Sequence, residues 1–156
     1  MKRGLLLTLT EPPAAMEEEF NAWYDSEHIP ERLSIPGFRS AQRWVCGRTY
    51  LATYELDSAG VLTTPEYLSF FEHPTPWSRR CLGKLATFQR WACEQVEPGD
   101  ADPHPRATAL LFNGATSGAL QTRRFLASSG ETIILGELAD PSVKPSSGIV
   151  YRLYKP

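Results

Sequence analysis

Two periodicities of apolar residues alternate along the first 97 residues, and they constrain the fold of this chain more than any other feature. Residues 4–10 follow the two-residue alternation typical of a strand. A helical stripe then places Met16, Phe20, Trp23 and Tyr24 on one side. The chain therefore begins with a strand followed by a helix that buries one face.

The same two patterns continue beyond this first helix, which opens after a Pro-Pro pair. The further strands are predicted at 38–46, 50–56 and 85–97, and helical segments at 64–72 and 77–84. The resulting order, β-α-β-β-α-β, predicts an α+β fold of the ferredoxin-like type. An open four-stranded sheet would leave one apolar face uncovered, which normally marks an interface. We therefore expect a homodimer that completes an α+β barrel, with an internal pseudo-dimer as the alternative.

The remaining third of the chain differs in composition. Residues 98–105 are rich in Pro, Gly and Asp and are interpreted as a linker between a domain at 1–97 and an extension at 106–156. The extension is predicted to be β-rich and to resemble an incomplete second repeat. Its expected elements are strands at 108–112, 132–138 and 149–154 and a weak helix at 120–127.

Composition excludes several classes of function. A net charge of −2 without a clustered basic face argues against nucleic acid, and no apolar run approaches the roughly 18 residues of a membrane span. The three cysteines form no CxxC pair, so we expect neither disulfides nor a metal site. This use of cysteine predicts a cytoplasmic location. Cys46 and Cys93 are expected to be buried, and His104 to be exposed. No glycine-rich phosphate loop occurs, so we expect no cofactor.

The apolar stripe of the first helix ends in two ionisable residues. Glu27 and His28 follow Trp23 and Tyr24 at a spacing of four, and Pro30 is expected to disrupt the helix there. An imidazole suits proton transfer near neutral pH. His28 is thus a candidate catalytic acid or base that Glu27 would orient. The alternative is that His28 only caps the helix end.

Other polar and aromatic residues are candidates for binding a substrate. Tyr24, Arg43 and Tyr54 lie on the predicted helix and strands, and His73 lies in a Pro-rich loop. A few polar groups among aromatic side chains suit a small-molecule pocket, but they suit a dimer interface equally well. For His73, a plain loop histidine is the alternative.

The run from Glu18 to Arg32 resembles a motif of the EthD-like proteins, named for ethyl tert-butyl ether degradation. The residues that carry the resemblance are 18–32, together with 36–38, 50–56 and 74–77. This largely uncharacterised bacterial family belongs to the dimeric α+β barrel superfamily, and the resemblance covers residues 1–97. It implies that His28 lines a cleft and takes part in proton transfer, while the short extension departs from relatives with two full repeats.

Two functions follow from these observations. The first is a cofactor-independent isomerase, cyclase, dehydratase or monooxygenase that acts by proton transfer on an apolar, oxygen-bearing metabolite. The second is a non-catalytic metabolite-binding or accessory protein of a catabolic or biosynthetic pathway. A closed cavity with no ionisable group within reach of a ligand would favour the second.

Overall fold

Eight antiparallel strands of one chain close into a barrel in the computed structural model, which describes residues 2–156. The strands are β1 (Gly4–Glu11), β2 (Phe38–Cys46), β3 (Thr49–Leu56), β4 (Thr87–Glu97), β5 (Ala109–Phe112), β6 (Gln121–Ala127), β7 (Thr132–Leu138) and β8 (Ile149–Leu153). The helices are α1 (Glu17–Trp23), α2 (Ile29–Leu33), α3 (Pro65–Glu72) and α4 (Pro76–Leu82), with a π-helical segment at Tyr24–His28 and short 3-10 turns at Ala14–Met16 and Ala59–Thr63.

The barrel is built from two four-stranded halves of the same chain. Around the barrel the order is β1-β3-β2-β8-β5-β7-β6-β4, so the first half contributes β4-β1-β3-β2 and the second half β8-β5-β7-β6. The halves join where β2 pairs with β8 and where β4 pairs with β6. The expectation that a second chain would complete the barrel is therefore wrong. The internal alternative is found, and it removes the uncovered sheet face on which the homodimer argument depended.

Each strand of the first half separates two cores. Leu5 and Leu7 of β1 point into the barrel, whereas Leu6 between them points out towards the helices. This is the side-chain alternation of a strand that is covered on both faces. The barrel core joins residues of both halves, among them Trp44, Leu51, Leu110, Phe125 and Leu135. The outer core packs the helices on the sheet through residues such as Phe20, Trp23, Tyr54 and Tyr67.

Residues 106–156, all of which the structure describes, form no helix on the outer face of the barrel. Loops cover it instead, with Ala119 and Val143 packing against Leu111 and Leu138. The helix predicted at 120–127 is wrong, because this segment is strand β6. Its inward positions are Arg123, Phe125 and Ala127, which is a two-residue alternation with a charged residue at one inward place.

Two smaller expectations also need correction. Cys46 is exposed, since it is the last residue of β2 and adjoins the tight turn to β3, whereas Cys93 is buried as expected. His104 is half-buried and not free in solvent, because its backbone N–H donates to the buried Glu137 carboxylate. The division of the chain into domains at residues 98–105 stays a prediction. Among the described helices, none is long and apolar enough to cross a membrane.

Candidate functional site

The first helix widens at the position where Pro30 was expected to disrupt it. Residues 24–28 form a single π-helical turn, in which the Ile29 N–H donates to the Tyr24 carbonyl five residues earlier. The helix then continues as α2 with Pro30 in its first turn, where a missing N–H costs little. Such π turns occur frequently at functional sites. Here the turn carries both Tyr24 and His28 onto the buried side of the helix.

His28 is a buried, neutral imidazole. Its ring stacks on Trp23 with centroids 4.4 Å apart and meets the edge of Tyr24 at 4.9 Å. Burial lowers the pKa of His28 well below 6.5, and the positive charges of Arg32 and Arg43 lower it further. Its Nδ1 is buried without a hydrogen-bond partner in the described part of the chain. No hydrogen bond to Nδ1 therefore ties the imidazole to another group of the described chain.

His28 lines a cavity of about 60 Å³ between the helices and the outer face of the sheet. Tyr24 and Tyr54 line it too, and their hydroxyl groups lie 3.4 Å apart, with Thr8 3.3 Å from the Tyr24 hydroxyl. Burial, followed by the neighbouring Tyr24, raises the pKa of Tyr54 well above 10, so its phenol stays protonated. The cavity thus brings the imidazole of His28 together with the hydroxyl groups of Thr8, Tyr24 and Tyr54.

The entrance of this cavity is apolar and exposed. Phe71, Leu82 and Phe88 line it and are among the most exposed large hydrophobic side chains of the protein. Arg90 also lines the cavity, and its guanidinium donates to the Tyr67 hydroxyl at 2.8 Å. An apolar molecule resting on this surface would therefore lie against the same cavity that His28 lines.

Arg32 and Tyr67 belong to the cavity as well, although the sequence interpretation did not select them. Arg32 follows His28 at a spacing of four, so both side chains lie on one side of the helix. That spacing was the available signal. Tyr67 lies on a different helix, and nothing in the local sequence connects it with His28.

Glu27 points away from His28. Its Oε2 accepts hydrogen bonds from the Trp23 indole at 3.1 Å and from the Thr75 hydroxyl at 2.7 Å, and the Ser78 hydroxyl lies 3.4 Å away. Thr75 also caps α4 by accepting from the Ser78 N–H. Glu27 therefore ties the π turn to the start of α4, and the structure does not bring it together with His28 as an orienting partner.

Arg43 is buried beside the cavity but does not line it. Its guanidinium lies between the rings of Tyr24 and Tyr154, 4.2 and 4.3 Å from their centroids. It donates to Asn21 at 2.7 Å and to Asp25 at 3.3 Å. Arg43 thus acts on His28 through its charge and through Tyr24, and a substrate in the cavity would not touch it.

His73 lies outside this cavity. It follows α3 in the connection to α4 and is exposed to solvent. Of the six candidate residues, the structure therefore brings three together around one cavity, namely Tyr24, His28 and Tyr54.

Comparison with known proteins identifies the fold. No family model matches the sequence, and no curated protein matches it significantly. Among solved structures, an anthrone oxidase-like protein is similar over 99% of this chain and 92% of its own, with a TM-score of 0.62 and 12% identity. A Fusobacterium nucleatum protein, provisionally described as a monooxygenase, is similar over 97% and 91%, with a TM-score of 0.57 and 7% identity. At these identities the likeness shows a shared α+β barrel fold.

Proposed function

We propose that this chain is a cofactor-independent enzyme that removes a proton from an apolar, oxygen-bearing small molecule, with His28 as the base. The observation that carries the proposal is His28 itself, a buried imidazole whose ring lines a cavity. A general base must be unprotonated at the working pH and must reach the proton that it removes. The lowered pKa of His28 meets the first condition.

The surrounding groups suit the charge that such a reaction develops. Removal of a proton beside a carbonyl leaves negative charge on the carbonyl oxygen as an enolate. The phenols of Tyr24 and Tyr54 can donate hydrogen bonds to this oxygen, and the Arg32 guanidinium is the nearby positive charge. Donors and charges placed where negative charge develops lower the barrier most effectively in a site that excludes water.

The size of the cavity restricts the manner of binding. A volume of about 60 Å³ corresponds to roughly two water molecules. Only the reacting end of a substrate enters such a space, so the apolar body would rest on Phe71, Leu82 and Phe88 at the entrance. A flat or aromatic ketone has this shape, with one carbonyl at the edge of an apolar body.

Anthrone is a suitable test molecule for His28, because its methylene group is acidified by the carbonyl on the opposite edge of the central ring and can itself be the end that enters the cavity. The name of the anthrone oxidase-like neighbour also suggests it. Deprotonation by His28 gives the anthrone anion, and reaction of that anion with O₂ gives anthraquinone and one water. We expect anthrone in D₂O without oxygen to exchange its methylene hydrogens faster with protein than with buffer. In air, anthraquinone should form.

Two matched variants test whether a change in the exchange rate is specific to His28 or follows the loss of any histidine. His28→Gln should slow the exchange by about 10²- to 10⁴-fold, the usual contribution of a positioned base. His73→Gln makes the same change in an exposed loop and should leave the rate unchanged. Equal exchange by wild type and His28→Gln, with retained circular dichroism, would contradict the proposal.

The proposal also includes three assignments made from the sequence: a ferredoxin-like first half, an EthD-like family and a cytoplasmic location. The strand order β4-β1-β3-β2 supports a ferredoxin-like description of residues 1–97, and the motif from Glu18 to Arg32 supports the EthD-like resemblance. Three free cysteines support a reducing, cytoplasmic location. A homodimer is not needed to close the barrel, and sedimentation equilibrium would establish whether one forms.

A further inference from the structure

A second and larger cavity lies inside the barrel, separate from the His28 cavity. Its volume is about 240 Å³, and six strands and the segment that follows β4 contribute to its walls. Its polar lining includes Glu55, Arg123 and Glu137, and its apolar lining includes Trp44, Leu110 and Leu153. None of them lines the His28 cavity.

A buried ion network forms the polar wall of this cavity. Arg123 donates to both carboxylate oxygens of Glu55, at 2.8 and 3.0 Å, and its Nε donates to Glu137 at 3.1 Å. Contacts at 3.4 Å to the Gln95 amide oxygen and the Ala101 carbonyl engage the same guanidinium. Arg123 therefore has little donor capacity left with which to hold an anion.

The network is unbalanced in charge. Two carboxylates face one guanidinium, and the side chains of Glu55, Arg123 and Glu137 are no more than 7% exposed. An ionised group that is buried without a counter-charge is costly. Each carboxylate oxygen can accept two hydrogen bonds, and Glu55 receives one on each of its oxygens. The wall can thus accept further donors and one more positive charge.

The remaining part of the lining is largely apolar and aromatic. Trp44, Leu110 and Leu153 belong to it, and the Trp44 indole N–H is already bonded to the Thr53 hydroxyl at 3.1 Å. With its N–H engaged, the indole contributes its apolar ring, whose face attracts cations. Pro103 and Pro105 add further apolar surface.

The segment predicted to be a linker borders the cavity and is held by the same network. The Ala101 carbonyl accepts from Gln95 and Arg123, and the Asp102 carbonyl accepts from Gln121. The His104 N–H donates to Glu137. This segment therefore forms part of the binding wall and does not merely connect two halves.

We propose that this barrel cavity binds a small organic ammonium ion with an apolar body. The ammonium group donates to Glu55 and Glu137, and the body packs on Trp44, Leu110 and Leu153. In the described part of the chain, no three His, Cys, Asp or Glu side chains converge as metal ligands. The mixture of carboxylates with aromatic and aliphatic walls instead matches an amine.

Three one-ring probes that differ chiefly in charge test the proposal: benzylammonium, benzyl alcohol and benzoate. Isothermal titration calorimetry at pH 7 should give a Kd for benzylammonium at least about tenfold lower than for the other two. The indole N–H signals locate the site, because Trp44 lines this cavity and Trp23 stacks on His28. Benzylammonium should shift the Trp44 signal and leave that of Trp23 in place.

Variants then test separately the negative charge of the ion network and the free volume of the cavity. Glu137→Gln leaves Arg123 balanced by Glu55 and should weaken benzylammonium binding about tenfold or more. Glu97→Gln is the control, since Glu97 pairs with Arg124 on the exposed surface. Ala107→Phe places a phenyl ring in the cavity without replacing any member of the ion network, and it should abolish binding even if Glu137→Gln fails to fold.

Three results would overturn the proposal: equal affinity for the three probes, a shift of Trp23 in place of Trp44, or unchanged affinity in Ala107→Phe. His28→Gln should bind benzylammonium normally. If His28 proves not to act as a base, the proposal for the barrel cavity is unaffected. If the barrel cavity does not bind the amine, the proposal for His28 is likewise unaffected.

Discussion

Replacing Arg123 by Met removes the cation that faces Glu55 and Glu137 inside the barrel. The side chains of Arg123 and Glu137 are each 2% exposed, and that of Glu55 is 7% exposed, so water solvates the stranded carboxylates poorly. Removing one partner of a buried ion pair typically costs about 3–5 kcal/mol. We expect Arg123→Met to lower the free energy of unfolding by that amount, a large part of the roughly 5–15 kcal/mol of an ordinary domain.

The adjacent residue supplies a matched control. Arg124 forms an ion pair of 2.7 Å with Glu97, and these side chains are 45% and 68% exposed. The chemistry and the separation of the charges are therefore comparable, and burial is the main difference. An exposed pair contributes about 0–1 kcal/mol, so Arg124→Met should have a small effect. Urea unfolding followed by circular dichroism measures both variants.

A third variant tests the cause directly. If stranded carboxylates are responsible, then adding Glu55→Gln and Glu137→Gln to Arg123→Met should recover part of the lost stability. Equal losses for Arg123→Met and Arg124→Met would refute the reasoning, as would a triple variant no more stable than Arg123→Met.

Two further predictions concern the His28 region. Because the pKa of His28 is below 6.5 in the folded protein, the unfolded chain binds the proton first as the pH falls, and stability decreases below about pH 6.5 by at most about 1.4 kcal/mol per pH unit. This decrease should be smaller in His28→Gln when urea midpoints at pH 7.5 and 5.5 are compared, and identical pH dependences would contradict it. Thr75→Val removes the cap of α4 and the bond to Glu27, so we expect a loss of about 1 kcal/mol in urea. Thr64→Val removes the 3.4 Å cap of α3, and a loss as large as that of Thr75→Val would contradict a role for Glu27.

The first half of the fold could be predicted because its signals are local. The stripe from Met16 to Tyr24 places neighbouring side chains on one face, and extending it leads directly to His28. The cavity partners of His28 are different. Tyr54 and Tyr67 come from other elements, and only the folded sheet and helices bring all three together.

Strand β6 was missed for a physical reason. Its inward position at Arg123 interrupts the apolar alternation, and the residues that neutralise Arg123, Glu55 and Glu137, are 68 and 14 positions away in the sequence. A charged side chain on an inward face is not recognisable until its counter-charges are known. The barrel likewise closes within one chain through strand pairs that are distant in the sequence, β2 with β8 and β4 with β6, and no local pattern reveals them.

Closure within one chain has a consequence for symmetry. In a barrel assembled from two identical chains, a twofold axis repeats every inward residue, so each charge network occurs twice. Here Glu55 comes from one half and both Arg123 and Glu137 come from the other, and the network occurs once. The two halves of the barrel therefore do not have to match: the helices and His28 belong to the first half, and Arg123 belongs to the second.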